Sequence, residues 1–221
     1  MKDNKKILIV ITGIAILVAG ILCGQKFFLM IPLMISLFVM AFQAEANRLG
    51  ALAGAVNSLI YTAAYIYMGV YASAASAFLF SFPIQLMTFF SWRKNAYKNT
   101  VVFKRMSKKV RLILLAVFLV LWSVLAIVFL HLKYEYAILD SGVFLLGLII
   151  PVLTLLAYIE YTYLWIVQAV VSLLLSVQMA FNDYSQITYL IYAVYSFYCI
   201  IFAFLTVRKF YKEQQSAEKN N

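Results

Sequence analysis

The feature that most constrains this chain is a series of long apolar stretches separated by short polar joints. A helix needs about 20 predominantly apolar residues to cross the hydrocarbon core of a bilayer. Eight stretches come close to this length, and we predict spans at Ile7–Gly24, Phe27–Phe42, Leu49–Met68, Val70–Ser91, Leu112–Leu130, Ala137–Tyr158, Tyr161–Ala180 and Gln186–Val207. With 66% hydrophobic and 12% charged residues, a soluble fold of 221 residues could not bury this apolar surface, so lipid must cover it. The sequence predicts an all-α membrane protein with about eight transmembrane helices; a fused or re-entrant pair at the Gly24–Lys26 or Met68–Val70 joint would change the count.

The uneven distribution of lysine and arginine between the joints indicates the orientation of the chain. Cytoplasmic joints of membrane proteins carry an excess of these residues. With the N-terminus in the cytoplasm, 16 of the 18 basic residues fall on the inner side, and only Lys26 and Lys133 fall outside. We interpret the basic stretch 93–111 as a topology signal that also touches anionic lipid headgroups, rather than as a ligand site. The sequence predicts a multi-pass protein of a bacterial inner membrane with both termini in the cytoplasm, and its net charge of +10 then requires no nucleic acid partner.

A weak internal repeat with an offset of about 115 residues divides the chain. Residues 55–62 are similar to residues 169–176, and Arg93-Lys94 recurs as Arg208-Lys209. Because one linker helix separates two three-helix units, both units must point the same way through the membrane, as in transporters of the SWEET type, which bind substrate at the repeat interface. We therefore predict a 3+1+3 parallel-repeat core preceded by one extra helix. The predicted parts are an extra helix at 1–26, the first repeat at 27–92, a basic loop and linker helix at 93–136, the second repeat at 137–209 and a cytoplasmic tail at 210–221.

The residues that enzymes, metal sites and coupled carriers need are missing from the middle of the predicted spans. None of the eight acidic residues lies there, whereas proton- or sodium-coupled carriers generally need such groups. His131 is the only histidine, and a metal site needs several ligands. Cys23 and Cys199 lie in different spans without metal or redox spacing, which favours a packing role. The sequence favours uncoupled transport of a small polar molecule, with no cofactor or metal, over an intramembrane enzyme.

Polar side chains within the predicted spans are candidates for a substrate path, because such groups usually face the interior of a helix bundle. Asn57 and Tyr61 are four residues apart and therefore share one face of the third span. Gln168 and Ser172 share one face of the seventh span in the same way, and Gln85 lies on the fourth. Hydrogen bonding between helices explains each of these residues equally well.

The stretch Gly54–Asn95 contains a Gly-to-Tyr helix, a Gly-x-Tyr turn at Gly69 and Tyr71, then Pro83, Gln85 and the sequence Trp-Arg-Lys at 92–94. In these features it resembles the PnuC family of nicotinamide riboside transporters. The later stretch Leu139–Ser172 is similar to the second half of the family, and the resemblance extends from about Phe27 to Lys209. It implies a SWEET-like fold, a homo-oligomer that is often a trimer, and facilitated diffusion of nicotinamide riboside with trapping by an intracellular kinase.

The resemblance also implies that the substrate ring stacks between aromatic side chains. The candidates are Trp165, Tyr61, Tyr192 and Tyr195. Trp92 lies beside Arg93 at the predicted cytoplasmic edge, which favours an interfacial anchor instead. The family pattern places Asn four residues after the second-half tryptophan, whereas this chain has Ala169 there, with Gln168 beside it. This departure leaves thiamine, riboflavin or a deoxynucleoside as alternative substrates.

A substrate-capture subunit of a multi-component importer is a competing interpretation from another class. Such subunits are similarly apolar but typically have fewer helices and no parallel repeat. The repeat therefore favours a transporter that works as its own unit, with a small-molecule substrate and the lipid bilayer as its partners.

Overall fold

The structure of the chain is a computed structural model that describes residues 2–67, 74, 76–98 and 100–219. These residues form eight α-helices, numbered in chain order: α1 (Lys2–Leu22), α2 (Phe27–Ala44), α3 (Leu49–Tyr67), α4 (Phe82–Lys94), α5 (Lys108–His131), α6 (Ala137–Leu155), α7 (Tyr161–Asn182) and α8 (Ile187–Lys219). A π-helical turn, Ala77–Ser81, leads into α4, and two short antiparallel strands, β1 (Ala96–Tyr97) and β2 (Thr100–Val101), follow it. One helix lies on each predicted span, which confirms the prediction of an all-α membrane fold with about eight helices.

The two short joints have different outcomes. Gly24 separates α1 from α2 and has a φ of +69°, a backbone conformation that glycine adopts without steric cost. The Met68–Val70 joint, and with it the Gly69 and Tyr71 turn, lies outside the described residues. Among the residues that the structure describes, five helices are long and apolar enough to cross a membrane: α2, α5, α6, α7 and residues Ile187–Ala217 of α8. Shorter apolar helices lie at Lys6–Leu22 in α1 and Leu49–Ala64 in α3.

Contacts between the joints show which helix ends lie together. Lys104, in the α4–α5 loop, forms backbone hydrogen bonds with Ala157 (2.8 Å) and Ile159 (3.0 Å) of the α6–α7 joint. Gln214 of α8 donates from Nε2 to the carbonyl oxygen of Val101 in the same loop (2.9 Å). Ala46 of the α2–α3 joint belongs to the core cluster that these segments build. We call this side of the molecule the basic end, since the stretch 93–111 lies there.

The other described joints lie at the opposite ends of these helices. Lys26, between α1 and α2, donates from Nζ to the hydroxyl of Tyr67 at the end of α3 (2.9 Å). Asn182, at the end of α7, donates from Nδ2 to the hydroxyl of Tyr136, just before α6 (3.0 Å). This alternation of the joints between two ends is the pattern that successive membrane crossings produce.

The helices pack as two groups of three around a shared interface. In the first group α3 packs against α2 and α4, and in the second α7 packs against α6 and α8. Between the groups, α2 packs against α8 and α4 packs against α6. The first helix of each group thus contacts the third helix of the other, which is the reciprocal packing that a 3+1+3 repeat requires. The residue boundaries of the two repeats and of the tail stay predictions.

The two helices outside these groups differ in how they are covered. The extra helix α1 packs against α2 and α8, and its Ile16 is fully buried there. The linker helix α5 packs against α6 and has no buried residue along its whole length. Lipid tails are as apolar as leucine, so helix association in a bilayer depends on close packing and hydrogen bonds rather than on hydrophobic burial. An exposed α5 is therefore the expected state of a helix whose neighbour is lipid.

Candidate substrate site

A cavity of about 220 Å³ lies where the two helix groups meet, toward the basic end. Its walls come from the last turn of α2, the α2–α3 joint, and helices α3, α4, α6 and α7. The lining residues are Gln43, Ala46, Asn47, Ala51, Gln85, Thr88, Trp92, Gly147, Ile150, Pro151, Thr154, Tyr161, Trp165 and Gln168. A cavity at the interface of two helix groups is where a transporter built from two repeats binds its substrate.

The two helices that supply most of the polar lining present similar stripes. On α4 the stripe is Gln85, Thr88 and Trp92, and on α7 it is Tyr161, Trp165 and Gln168. Spacings of three and four residues place each set on one helix face. Because seven residues of helix rise about 10 Å, each glutamine lies about that far from the aromatic residue at the far end of its stripe. The aromatic ends of both stripes point toward the basic end, so the cavity has an aromatic part and a deeper amide part.

Gln85 is fixed in place by α3. Its Nε2 donates to Ser58 Oγ at 2.9 Å, and Ser58 Oγ in turn donates to the carbonyl oxygen of Gly54 at 3.0 Å. A Cβ at position 54 would lie only 1.7 Å from Gln85 Oε1. Only glycine at position 54 therefore leaves room for this amide, which gives Gly54 a positioning role that its sequence neighbourhood does not reveal.

Gln168 and Trp165 form the α7 side of the cavity. Gln168 Nε2 lies 3.4 Å from the carbonyl oxygen of Val143 on α6, a long hydrogen bond that a better acceptor could replace. The Trp165 ring is tilted against Tyr161, with ring centroids 6.1 Å apart. Ala169 is buried in the core formed with α1, α2 and α8 and does not line the cavity. The amide on this helix thus comes from position 168 rather than from the family position 169.

Trp92 is not an interfacial anchor, contrary to the sequence-based interpretation. Only 4% of its surface is exposed, and its Nε1 donates to the carbonyl oxygen of Thr154 at 2.9 Å. Phe103 packs edge-on against the ring, with centroids 5.9 Å apart. The α4–α5 loop folds back and covers Trp92. The sequence had placed Trp92 at the lipid headgroups because Arg93 follows it.

The structure brings together three of the eight predicted site residues, namely Gln85, Trp165 and Gln168. The other five, Asn57, Tyr61, Ser172, Tyr192 and Tyr195, do not line this cavity. Ser172 lies on α7, one turn beyond Gln168, and is half-buried. As substrate contacts, all eight stay predictions.

Asn57 and Tyr61 belong to a separate polar cluster between α2 and α3. Asn57 is 5% exposed and donates from Nδ2 to Ser36 Oγ at 2.8 Å. The Tyr61 hydroxyl lies 3.3 Å from the same Ser36 oxygen, which itself donates to the carbonyl oxygen of Pro32. Hydrogen bonding between helices, the alternative for these two residues, is what the structure shows.

Tyr192 and Tyr195 lie on α8 against the core shared with α1 and α2. The Tyr195 hydroxyl donates to the carbonyl oxygen of Leu37 on α2 at 2.7 Å. Tyr192 packs against the same core cluster. Both rings therefore fill the contact between α2 and α8.

Several lining residues were missed by sequence reasoning. Gln43 lies in the last turn of α2 and Asn47 in the joint that follows, where polar residues are usually solvated. Asn47 Oδ1 accepts a hydrogen bond from the backbone N–H of Leu49, as an N-cap residue does. Tyr161 carried a usable signal, because its spacing of four and seven from Trp165 and Gln168 completes a helical stripe.

Helices packed as two groups around an uncharged polar cavity are features of small-molecule transporters built from two repeats. A family model described as nicotinamide mononucleotide transporter matches residues 26–209, and the chain belongs to this family. A solved structure described as the crystal structure of the vitamin B3 transporter PnuC is similar in fold, with a TM-score of 0.74 over 95% of this chain and 92% of that chain, at 18% sequence identity. No match was found among curated protein sequences. The predicted resemblance to PnuC transporters is thereby confirmed, and the chain is a transporter and not an enzyme.

Proposed function

We propose that this chain carries nicotinamide riboside, the phosphate-free form of a vitamin B3 nucleotide, across a bacterial inner membrane by facilitated diffusion. The observation that carries the proposal is the chemistry of the cavity lining, which combines two tryptophans and a tyrosine with four side-chain amides. None of the described residues that line it bears a charge.

The uncharged lining favours a nucleoside over a nucleotide. A phosphate group carries a charge of about −1.5 to −2 at neutral pH and is bound by Arg, Lys or convergent backbone N–H groups. Burying it in this cavity without such partners would be costly.

The two parts of the cavity suit the two parts of the riboside. Its pyridinium ring is a delocalised cation, which aromatic faces such as those of Trp165 and Trp92 attract. Its carboxamide and ribose hydroxyls need donors and acceptors, which Gln85 and Gln168 provide. We therefore propose Trp165, Gln85 and Gln168 as the principal substrate contacts.

The distribution of charge supports the remaining parts of the proposal. The acidic residues of the chain fall at helix ends and joints rather than at mid-span, so transport needs no ion coupling by a buried carboxylate. Net import then depends on consumption of the substrate inside the cell, which an intracellular kinase would provide. The excess of lysine and arginine at the basic end supports a cytoplasmic position for that end and for both termini. We extend the proposal to a homo-oligomer, such as a trimer.

One observation favours a related substrate as the second candidate. The amide of α7 comes from Gln168, which is one methylene longer than Asn and one position earlier than the family pattern. A shifted amide would meet a different edge of the ligand ring, so thiamine, riboflavin or a deoxynucleoside would then replace the riboside.

Calorimetric titration of the detergent-purified protein tests the proposal. Nicotinamide riboside, its mononucleotide, thiamine, riboflavin and a deoxynucleoside are compared on the wild-type chain and on Gln85→Ala and Gln168→Ala. Gln178→Ala is the matched control, because Gln178 is an exposed glutamine on the same helix as Gln168. We expect riboside binding that weakens in both cavity variants and not in the control. Preferred binding of the mononucleotide would contradict the proposal, and binding of another vitamin would change the substrate and retain the site.

Uptake into proteoliposomes tests the mechanism separately. Because the riboside carries a positive charge, the vesicles are held without a membrane potential. Facilitated diffusion then predicts that riboside equilibrates across the membrane without accumulating and that ionophores for protons and sodium leave the rate unchanged. Accumulation that collapses with either ionophore would show coupling.

A further inference from the structure

A second cavity, of about 260 Å³, lies on the outside of the second helix group, between the linker helix α5 and helices α6 and α7. It exists because α5 packs against α6 but makes no comparable contact with α7 among the described residues. Its walls are apolar, with Leu114, Leu115 and Phe118 from α5, Leu146 and Ile149 from α6, and Leu164 from α7. We call this space the α5 groove.

The groove crosses from the charged border of the membrane into the hydrocarbon region. Arg105 and Arg111 line it at the basic end. The three apolar residues of α5 follow Arg111 at spacings of three, four and seven and so continue its face of the helix into the predicted span. The opening of the groove, which we call its mouth, is lined by Arg105 and Arg111 and lies at the level of the lipid headgroups. The apolar part of the groove, which we call the slot, lies at the level of the acyl chains.

The acidic residue at the mouth does not neutralise the site. Glu160 is 8% exposed, and both of its carboxylate oxygens accept from the backbone N–H of Met106 at 3.2 Å. Arg111 Nε is shielded from solvent, lies 3.8 Å from Glu160 Oε1 and donates no hydrogen bond among the described residues. Arg105 is exposed, and none of the described acidic residues is within ion-pair distance of it. The mouth therefore retains a net positive charge and an unused donor.

We propose that the α5 groove binds one anionic phospholipid, whose phosphate lies between Arg105 and Arg111 and whose acyl chain lies along Leu115 and Phe118. Basic pockets between transmembrane helices on the cytoplasmic side bind anionic headgroups, and each arginine near the membrane surface contributes to their attraction. A planar guanidinium matches the phosphate oxygens in geometry as well as in charge. A neutral lipid would fill the slot but would leave the net positive charge of Arg105 and Arg111 against Glu160 uncompensated. This site is separate from the substrate cavity and does not depend on the identity of the substrate.

Native mass spectrometry of the detergent-purified full chain tests the proposal, with phosphatidylglycerol and phosphatidylcholine of the same acyl chains as competing probes. We expect one phosphatidylglycerol to be retained in preference to phosphatidylcholine. Removal of both charges in Arg105→Ala/Arg111→Ala is expected to weaken this binding roughly 30-fold, from about 1 kcal/mol for each arginine.

Two further variants separate the site from general surface charge. Lys209→Ala/Lys212→Ala removes two exposed positive charges from the same end of the molecule and is expected to leave the bound lipid in place. Leu115→Trp keeps both arginines but fills the slot, and is expected to abolish the preference for phosphatidylglycerol. Leu115 is 53% exposed, so the larger ring does not disturb the core.

The proposal is overturned if the lysine control loses lipid as strongly as the arginine variant, since binding would then reflect diffuse charge. Equal retention of both lipids by the wild-type chain would also overturn it. So would a Leu115→Trp variant that keeps its lipid but changes oligomeric state, because the groove would then hold a second copy of the chain.

Discussion

Two polar clusters lie within the membrane region of this protein, and their difference shows how one kind of sequence signal serves two purposes. The cluster of Ser36, Asn57 and Tyr61 joins α2 to α3 by hydrogen bonds and lines no described cavity. The cluster around Gln85, Trp165 and Gln168 surrounds a cavity of about 220 Å³. Both combine amides with aromatic rings at helical spacing. In the first cluster the hydrogen bonds of Ser36 join α2 to α3. The second cluster lies between the two helix groups and leaves space for a ligand.

Among substitutions that test this comparison of the two clusters, we expect the largest loss of riboside affinity at Trp165. Trp165→Ala removes an aromatic face from the cavity. Stacking of a ring on such a face contributes about 1–3 kcal/mol, so we expect a roughly 10- to 100-fold loss of riboside affinity. Calorimetry measures the loss. Trp122→Ala is the control, because Trp122 stacks on Phe118 of the linker helix, away from the cavity. Equal losses in both variants would show that the effect is structural.

Gly54→Ala tests the positioning of Gln85 without touching the ligand. The added methyl group would displace the Gln85 amide from Ser58, so we expect a roughly 3- to 10-fold loss of affinity, the value of one hydrogen bond. A double-mutant cycle checks the cause: in a Gln85→Ala background, Gly54→Ala should have almost no further effect on binding. An undiminished effect in that background would show that Gly54 acts through something other than Gln85.

Asn57→Ala tests the cluster of Ser36, Asn57 and Tyr61. We expect it to lower stability and to leave substrate affinity unchanged, the opposite of the cavity variants. Loss of the hydrogen bond to Ser36 is expected to lower the free energy of unfolding by about 0.6 kcal/mol, the average for hydrogen bonds between membrane helices, and by no more than about 1.7 kcal/mol. Riboside affinity should stay within the error of the titration. A large loss of affinity at unchanged stability would move Asn57 into the substrate path and break the comparison.

The smallest effect is expected at the exposed ion pair between Lys98 and Glu213, whose Nζ and Oε2 lie 2.8 Å apart. This contact raises the pKa of Lys98, mainly through the hydrogen bond to Glu213. A raised lysine pKa contributes stability below the ordinary value of 10.5, and the contribution is lost only as the pH rises through the folded-state pKa. The unfolding temperature of Lys98→Ala should differ little from wild type at neutral pH, and the difference should vanish at high salt. A large, salt-independent difference would contradict this.

The fold was largely predictable because hydropathy and charge act over whole helices. Spans such as Leu112–Leu130 and Ala137–Tyr158 agree with α5 and α6 to within a few residues, since an apolar run of that length has few alternatives in a bilayer. The pairing of the helix groups followed from the repeat, because the offset of about 115 residues relates α3 to α7 and α4 to α8.

The site was only partly predictable because helical spacing identifies a polar face but not what that face meets. Asn57 and Gln85 have the same kind of signal, and only the packing of α2 against α3 and of α4 against α6 separates them. Trp92 was assigned to the headgroup border because Arg93 follows it. The backbone contacts of Lys104 with the α6–α7 joint fold the loop over it instead. Such long-range contacts leave no periodic trace in the sequence.

Ligand-induced fluorescence change in single-tryptophan variants tests the central claim most directly. The chain has three tryptophans, of which Trp92 and Trp165 line the cavity and Trp122 does not. Variants that retain one tryptophan, with the other two replaced by phenylalanine, are titrated with nicotinamide riboside. The account predicts a saturating change in the Trp165-only variant, a change also in the Trp92-only variant, and none in the Trp122-only variant. A response from Trp122 alone, or from none of the three in protein that binds riboside by calorimetry, would place the substrate elsewhere.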